Sequence, residues 1–91
     1  MKPNPDRIDD AVLALLHLTS FREHKGELPR AWKGHDWDAL GRLHAKGYIS
    51  NPVGKSKSVV LSEAGARRAG ELFVKLFCTP EAPKGDLKSQ I

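Results

Sequence analysis

Residues 48–72 read YISNPVGKSKSVVLSEAGARRAGEL. Ile49, Asn51 and Val53 stand at every second position of one segment, and Val59 and Leu61 stand at every second position of another, which is the period of a β-strand. The polar residues between them, Gly-Lys-Ser-Lys at 54–57, form a turn of hairpin length. The pattern therefore predicts a two-stranded β-hairpin with a basic tip, and the proline in the first strand predicts that this strand is an edge.

A third helix is predicted directly after the hairpin, with Ser62 as its cap. Gly65 in the first turn indicates that another backbone packs closely there. The helix has a continuous apolar face at helical spacing. This face consists of Ala66, Ala69, Leu72, Phe73, Leu76 and Phe77.

Two further helices are predicted before the hairpin. Asn4 is a favourable cap, a proline follows it, and apolar residues then recur at helical spacing, so the first helix is placed at 6–20. Asp36 caps the second helix, placed at 36–46, and Gly47 provides a left-handed stop at its end.

The order helix, loop, helix, hairpin, helix resembles a winged helix-turn-helix domain over residues 36–77. In such domains the helix before the hairpin is the recognition helix, and the hairpin is the wing. Residues 21–34 stand where those domains carry a further helix, but their glycines and proline predict a loop with a short strand at 30–33. The expected fold is a small α+β, winged-helix-like domain with three main helices, a two-stranded wing, and the second helix of the helix-turn-helix reduced or missing.

A closer resemblance covers about residues 6–78. The segments IDDAVLALLHLT, RAWKGHDWDALGRLHAKGYI and PVGKSKSVVLSEAG resemble a small bacterial family described as a domain of unknown function. The resemblance implies a winged-helix-like fold and a family without an assigned activity, and it transfers no catalytic residue. The expected organisation is one domain at 1–78 and a mobile tail at 79–91.

The charge distribution favours a nucleic-acid-binding or regulatory function. The chain carries a net charge of +4, and residues 22–57, with eight basic and four acidic side chains, account for all of it. Because the second helix begins with Asp36 and Asp38, it lacks obvious base readers, and the expected contacts are with the phosphates of DNA. The candidate residues are Lys55 and Lys57 at the hairpin tip, supported by Arg42, Lys46, Arg30 and Lys33.

Structural interpretations of the same residues stay open. Lysines on a hairpin also keep a sheet edge from aggregating. Asp38 and Arg42 stand four residues apart on the second helix and can pair with each other. Trp32 and Trp37 would form a stacking platform for unpaired bases if exposed beside the basic residues, but core packing is the commoner fate of tryptophan in a small domain.

The last helix supports an alternative function as a protein-interaction module. Its face of Leu72, Phe73, Leu76 and Phe77 is candidate surface for a homodimer. The first helix could instead cover this whole stripe within one chain.

Other classes of function find no support in the sequence. Cys78 is the single cysteine, so we expect a reducing, cytoplasmic compartment. It has no identifiable base, so we expect no enzyme activity. The four histidines lack metal-ligand spacing, and no cofactor or small-molecule site is expected. The longest apolar run, at residues 11–16, is far short of the ~20 residues that cross a bilayer.

Overall fold

The computed structural model describes residues 1–80 of the chain. The three helices and the two-stranded antiparallel sheet in this range form an α+β domain with a winged-helix-like layout, as predicted. The predicted tail at 79–91 lies outside the described residues from residue 81 onward. In chain order the elements are α1 (Pro5–Leu18), β1 (Arg30–Trp32), α2 (Trp37–Ala45), β2 (Ser58–Val60) and α3 (Glu63–Phe77).

All three helices begin at their predicted caps. The side chains of Asn4, Asp36 and Ser62 each accept a hydrogen bond of 3.0 Å from a backbone N–H group in the first turn that follows. These bonds satisfy donors that have no partner within the helix. α1 ends at Leu18, two residues earlier than expected, and residues 21–34, where a winged helix-turn-helix domain has its further helix, contain no helix, as predicted.

The C-terminal end of α2 forms a Schellman turn. Gly47 has φ of 81°, in the left-handed region that favours glycine. Its N–H group donates to the carbonyl of His44 at 2.9 Å, and the N–H group of Tyr48 donates to the carbonyl of Leu43 at 3.1 Å. The predicted stop at Gly47 is therefore confirmed, and it directs the chain from α2 toward the sheet.

The sheet joins β1 to β2, two strands that are distant in sequence. Ala31 lies opposite Val59, and the side chains of both are completely buried on the inner face of the sheet. Because neighbouring residues of a strand point to opposite faces, Arg30 and Trp32 share the outer face. The full register pairs Arg30 with Val60, Ala31 with Val59 and Trp32 with Ser58.

The predicted hairpin pairing is largely wrong. Its first strand is reduced to a single bridge between Ile49 and Leu61. Two local features explain why the ladder stops there. Pro52 has no N–H group to donate. In addition, the side chain of Asn51 accepts the N–H group of Val53 at 3.0 Å, which turns the backbone away from β2.

The core lies between the three helices and the inner face of the sheet. α1 packs against both α2 and α3, and it contributes four of the buried apolar residues. The buried apolar residues are Val12, Leu13, Ala14, Leu16, Ala31, Ala39, Leu40, Leu43, Ile49, Val59, Leu61, Ala69 and Leu72.

The close backbone approach predicted at Gly65 is confirmed. A Cβ atom at this position would lie 1.9 Å from the carbonyl oxygen of Tyr48. The same carbonyl accepts the N–H group of Ser62 at 3.0 Å, so the start of α3 rests directly on the turn after α2.

Candidate nucleic-acid interface

A lysine at the end of β1 holds the loop at residues 52–57, which we call the wing loop. The ammonium group of Lys33 donates to the carbonyls of Pro52 at 2.6 Å and Gly54 at 3.0 Å. Its backbone N–H group also donates to the carbonyl of Lys57 at 3.0 Å. Lys33, expected to support phosphate binding, thus positions both ends of the wing loop.

Arg30 holds the same loop from the outer face of the sheet. Its Nε donates to the hydroxyl of Ser58 at 3.0 Å, and Nη2 donates to the hydroxyl of Ser56 at 3.4 Å. Glu23 lies 3.5 Å from Nε and partly neutralises the guanidinium. Arg30 therefore also acts on the wing loop as a positioning residue.

The wing loop itself contains two cations, and both of them face water. Lys55 and Lys57 are both exposed. Within residues 1–80, neither side chain lies in an ion pair, in contrast to the basic residues at positions 30, 42 and 46. These are the positions at which a phosphate would meet an uncompensated charge.

Both tryptophans are exposed beside the wing loop, so their predicted packing in the core is wrong. Trp32 is 57% exposed and Trp37 is 54% exposed. Trp32 lies on the outer face of β1 because Ala31 occupies the inner face, and its ring packs against Phe21 at a centroid distance of 5.2 Å. The ammonium group of Lys33 lies 5.9 Å from the ring centroid of Trp37, within the range of a cation–π contact.

Two of the candidate phosphate-binding residues, Arg42 on α2 and Lys46 at its C-terminal cap, instead surround a buried carboxylate. Arg42 binds Asp9 with Nε at 3.0 and 2.9 Å from its two oxygens and with Nη2 at 2.8 Å. The ammonium group of Lys46 lies 3.1 Å from the same carboxylate. Arg42 thus pairs with Asp9 on α1, and the expected pair with Asp38 does not form.

The charge state of Asp9 follows from these contacts. Burial by itself would raise the pKa of Asp9, because it disfavours the charged form. The hydrogen bonds and charges of Arg42 and Lys46 outweigh this effect and hold the pKa of Asp9 below its usual range. The carboxylate is completely buried and remains ionised at neutral pH, which raises the pKa of Arg42 in turn.

The sequence contains a signal for this buried pair that the possible pairing of Arg42 with Asp38 does not take into account. Asp9 lies three, four and seven residues before Val12, Leu13 and Leu16 on the apolar face of α1. An acidic residue in such a face requires a cationic partner from another element.

The family described as "Domain of unknown function (DUF6429)" matches residues 4–79. The chain belongs to this family. It is also similar to "Uncharacterized protein y4hR" of Sinorhizobium fredii (strain NBRC 101917 / NGR234), with 53% identity over 77 residues that cover 85% of this chain and 97% of that protein. No solved structure matches the chain. The resemblance found in the sequence is thereby confirmed.

The predicted dimer face of this DUF6429 domain divides into a buried and an exposed part. Leu72 is 1% exposed and belongs to the core of the single chain, so it has no surface to offer a partner. Phe73 is half-buried and contacts His17 on α1, with ring centroids 5.3 Å apart. Leu76 and Phe77, in the last turn of α3, are 46% and 49% exposed.

Neither a metal site nor a membrane-spanning helix is found in the described part of this DUF6429 domain. Among residues 1–80, no three His, Cys, Asp or Glu side chains are grouped so that they could hold a metal ion. Cys78 is exposed at the end of α3. None of the helices in this range is long and apolar enough to cross a membrane. The basic wing loop and its two tryptophans are therefore the most distinctive surface that the described residues present.

Proposed function

We propose that this protein is a small, non-enzymatic nucleic-acid-binding or regulatory module of the bacterial cytoplasm. It contacts phosphates through Lys55 and Lys57. The observation that supports the proposal most directly is the anchoring of the wing loop by Lys33, which presents two exposed lysines on a backbone that is held at both ends. A fixed loop loses little conformational freedom when its cations meet a phosphate backbone.

The proposed contact is independent of base sequence. Asp36 and Asp38 stand at the start of α2, where a recognition helix carries its base readers. Arg42 and Lys46 form ion pairs with Asp9, so the second half of that helix presents neither of them as a free cation. Lys55 and Lys57 then bind the backbone, and their binding energy is electrostatic.

The test is fluorescence anisotropy with a labelled DNA duplex of mixed sequence at ~50 and ~200 mM salt. Two phosphate contacts to a duplex give a salt slope of about −1.8, so over this range they account for a loss of affinity of about 12-fold. The double substitution Lys55→Ala with Lys57→Ala should weaken binding and remove that share of the salt dependence. Lys2→Ala with Lys75→Ala, which removes the same charge from exposed positions elsewhere, is the matched control.

Two results would contradict the proposal. One is an absence of binding at ~50 mM salt to both the duplex and its labelled single strand, from protein that circular dichroism shows to be folded. The other is an equal loss of affinity in both double variants, because that would reflect net charge alone and not the wing loop.

A second candidate function, homodimerisation through the end of α3, rests on the exposure of Leu76 and Phe77. Val74 is 61% exposed on the same helix, and Leu18 at the end of α1 is 59% exposed. If this face joins two copies, Leu76→Glu should yield a folded monomer in analytical ultracentrifugation while the unmodified protein sediments as a dimer. A monomeric unmodified protein would exclude this candidate.

A further inference from the structure

We infer that the nucleic acid is single-stranded and that its unpaired bases stack on Trp32 and Trp37. This inference rests on the proposed function and adds the class of ligand. We define the wing surface as the wing loop together with Trp32, Lys33 and Trp37. The argument depends on how this surface combines exposed aromatic rings with free cations.

The exposure of both rings is the first part of the argument. The chain contains two tryptophans, and each leaves more than half of its surface in water. Leaving large apolar side chains exposed forgoes the stabilisation that their burial would provide. Both rings nevertheless have a neighbour that supports them: the ring of Phe21 packs against Trp32 at an interplanar angle of 36°, and the ammonium group of Lys33 lies over the ring of Trp37. Supported, exposed rings are suited to receive another flat group.

The positions of the cations relative to the rings are the second part. Lys33 links Trp37 to the wing loop, because its ammonium group lies 5.9 Å from the centroid of Trp37 and 3.0 Å from the carbonyl of Gly54. Trp32 is paired across the sheet with Ser58, the residue after Lys57. Rings beside free lysines are the combination that binds the bases and the phosphates of one strand together.

The surface discriminates against a duplex for two reasons. The faces of paired bases are stacked inside a duplex and cannot reach an indole ring, whereas an unpaired base presents its face freely. Asp36 and Asp38, at the start of α2, also repel the two phosphate backbones that border a major groove.

The experiment uses a labelled DNA strand of about 16 nucleotides and mixed sequence, alone and annealed to its complement, at ~50 mM salt. We expect the single strand to bind more tightly than the duplex. Trp32→Leu and Trp37→Leu should each weaken binding of the single strand by about 5- to 140-fold, the range found for loss of one stacking ring. Phe77→Leu removes an exposed ring from α3 and should leave binding unchanged.

A second readout comes from the tryptophans themselves. Each single variant retains one indole, and its fluorescence should be quenched by the single strand but not by the duplex. Equal affinity for the two DNA forms, or unchanged affinity in both tryptophan variants, would overturn the inference. The double variant Lys55→Ala with Lys57→Ala separates failure of this inference from failure of the proposed function. If only the stacking inference is wrong, this variant still loses binding while the tryptophan variants do not.

Discussion

Replacement of Gly65 by alanine should destabilise the domain, although glycine-to-alanine changes inside helices normally stabilise. Alanine is favoured over glycine in a helix interior by about 1 kcal/mol. At this position the substitution becomes destabilising, because the new Cβ would lie 1.9 Å from the carbonyl oxygen of Tyr48, 2.7 Å from its carbonyl carbon and 2.9 Å from its Cα. All three are backbone atoms, which cannot rotate away as a flexible side chain would.

The magnitude follows from the displacement that relieves this clash. An ordinary contact requires 3.4 Å or more, so α3 and Tyr48 must separate by about 1.5 Å. Such a shift breaks the bond from the N–H group of Ser62 to the Tyr48 carbonyl, worth about 0.5–1.5 kcal/mol. It also imposes an overpacking cost of about 1–3 kcal/mol. After the gain in helix propensity is subtracted, Gly65→Ala should destabilise by about 2 kcal/mol.

Thermal unfolding followed by circular dichroism provides the assay. For a domain of this size, about 2 kcal/mol corresponds to a fall in Tm of roughly 8–16 °C. Gly41→Ala, in α2 with open space around the new atom, and Gly70→Ala, in α3 with an ordinary contact of 3.5 Å to His17, are the matched controls. Both should raise Tm by a few degrees, about 4–8 °C per kcal/mol. A Tm for Gly65→Ala at or above that of the unmodified protein would refute the reasoning.

Three further predictions concern the buried carboxylate, the core and the wing surface. Asp9→Asn should lower the free energy of unfolding by about 1.5–3 kcal/mol at neutral pH. Because the folded-state pKa of Asp9 is lowered, the carboxylate stabilises the fold above its unfolded pKa, and this stabilisation is lost in acid. Urea titrations should therefore show that the difference in unfolding free energy between the unmodified protein and Asp9→Asn shrinks below about pH 4. A difference that stays constant with pH would contradict this prediction. Leu72→Ala should cost about 2–5 kcal/mol in urea unfolding, whereas Leu76→Ala should stay within about 0.5 kcal/mol; equal costs would contradict their different burial. Asp38→Asn should strengthen nucleic-acid binding about 2-fold in anisotropy titrations, the effect of one like charge about 10 Å from a phosphate, and weaker binding would argue against the wing surface.

Local signals predicted the helices well, because a helix is stabilised by residues near one another in the chain. The caps at Asn4, Asp36 and Ser62 each bond to a backbone group two or three residues away. The turn at Gly47 likewise depends on bonds within five residues. Even the demand for glycine at position 65 was visible, although its cause, the Tyr48 carbonyl, was not.

The candidate site was predicted only in part, because its residues are placed by partners far away in sequence. The polar turn predicts that Lys55 and Lys57 are exposed, and both are. Lys33 and Arg30 were chosen for their charge alone, and their bonds to the wing loop span 19 to 28 residues. Sequence periodicity contains no information on such distances.

Local signals were therefore sufficient for the three helices, their order and their caps, and for the basic character of the segment before α3, but not for the strand pairing. Only the tertiary structure decided that β2 pairs with β1, that both tryptophans face water, and that Arg42 turns inward to Asp9. The physical reason is the range of the interactions. Hydrogen bonds within a turn select local backbone geometry, whereas strand pairing, burial and ion pairing depend on which distant surfaces meet when the chain closes around its core.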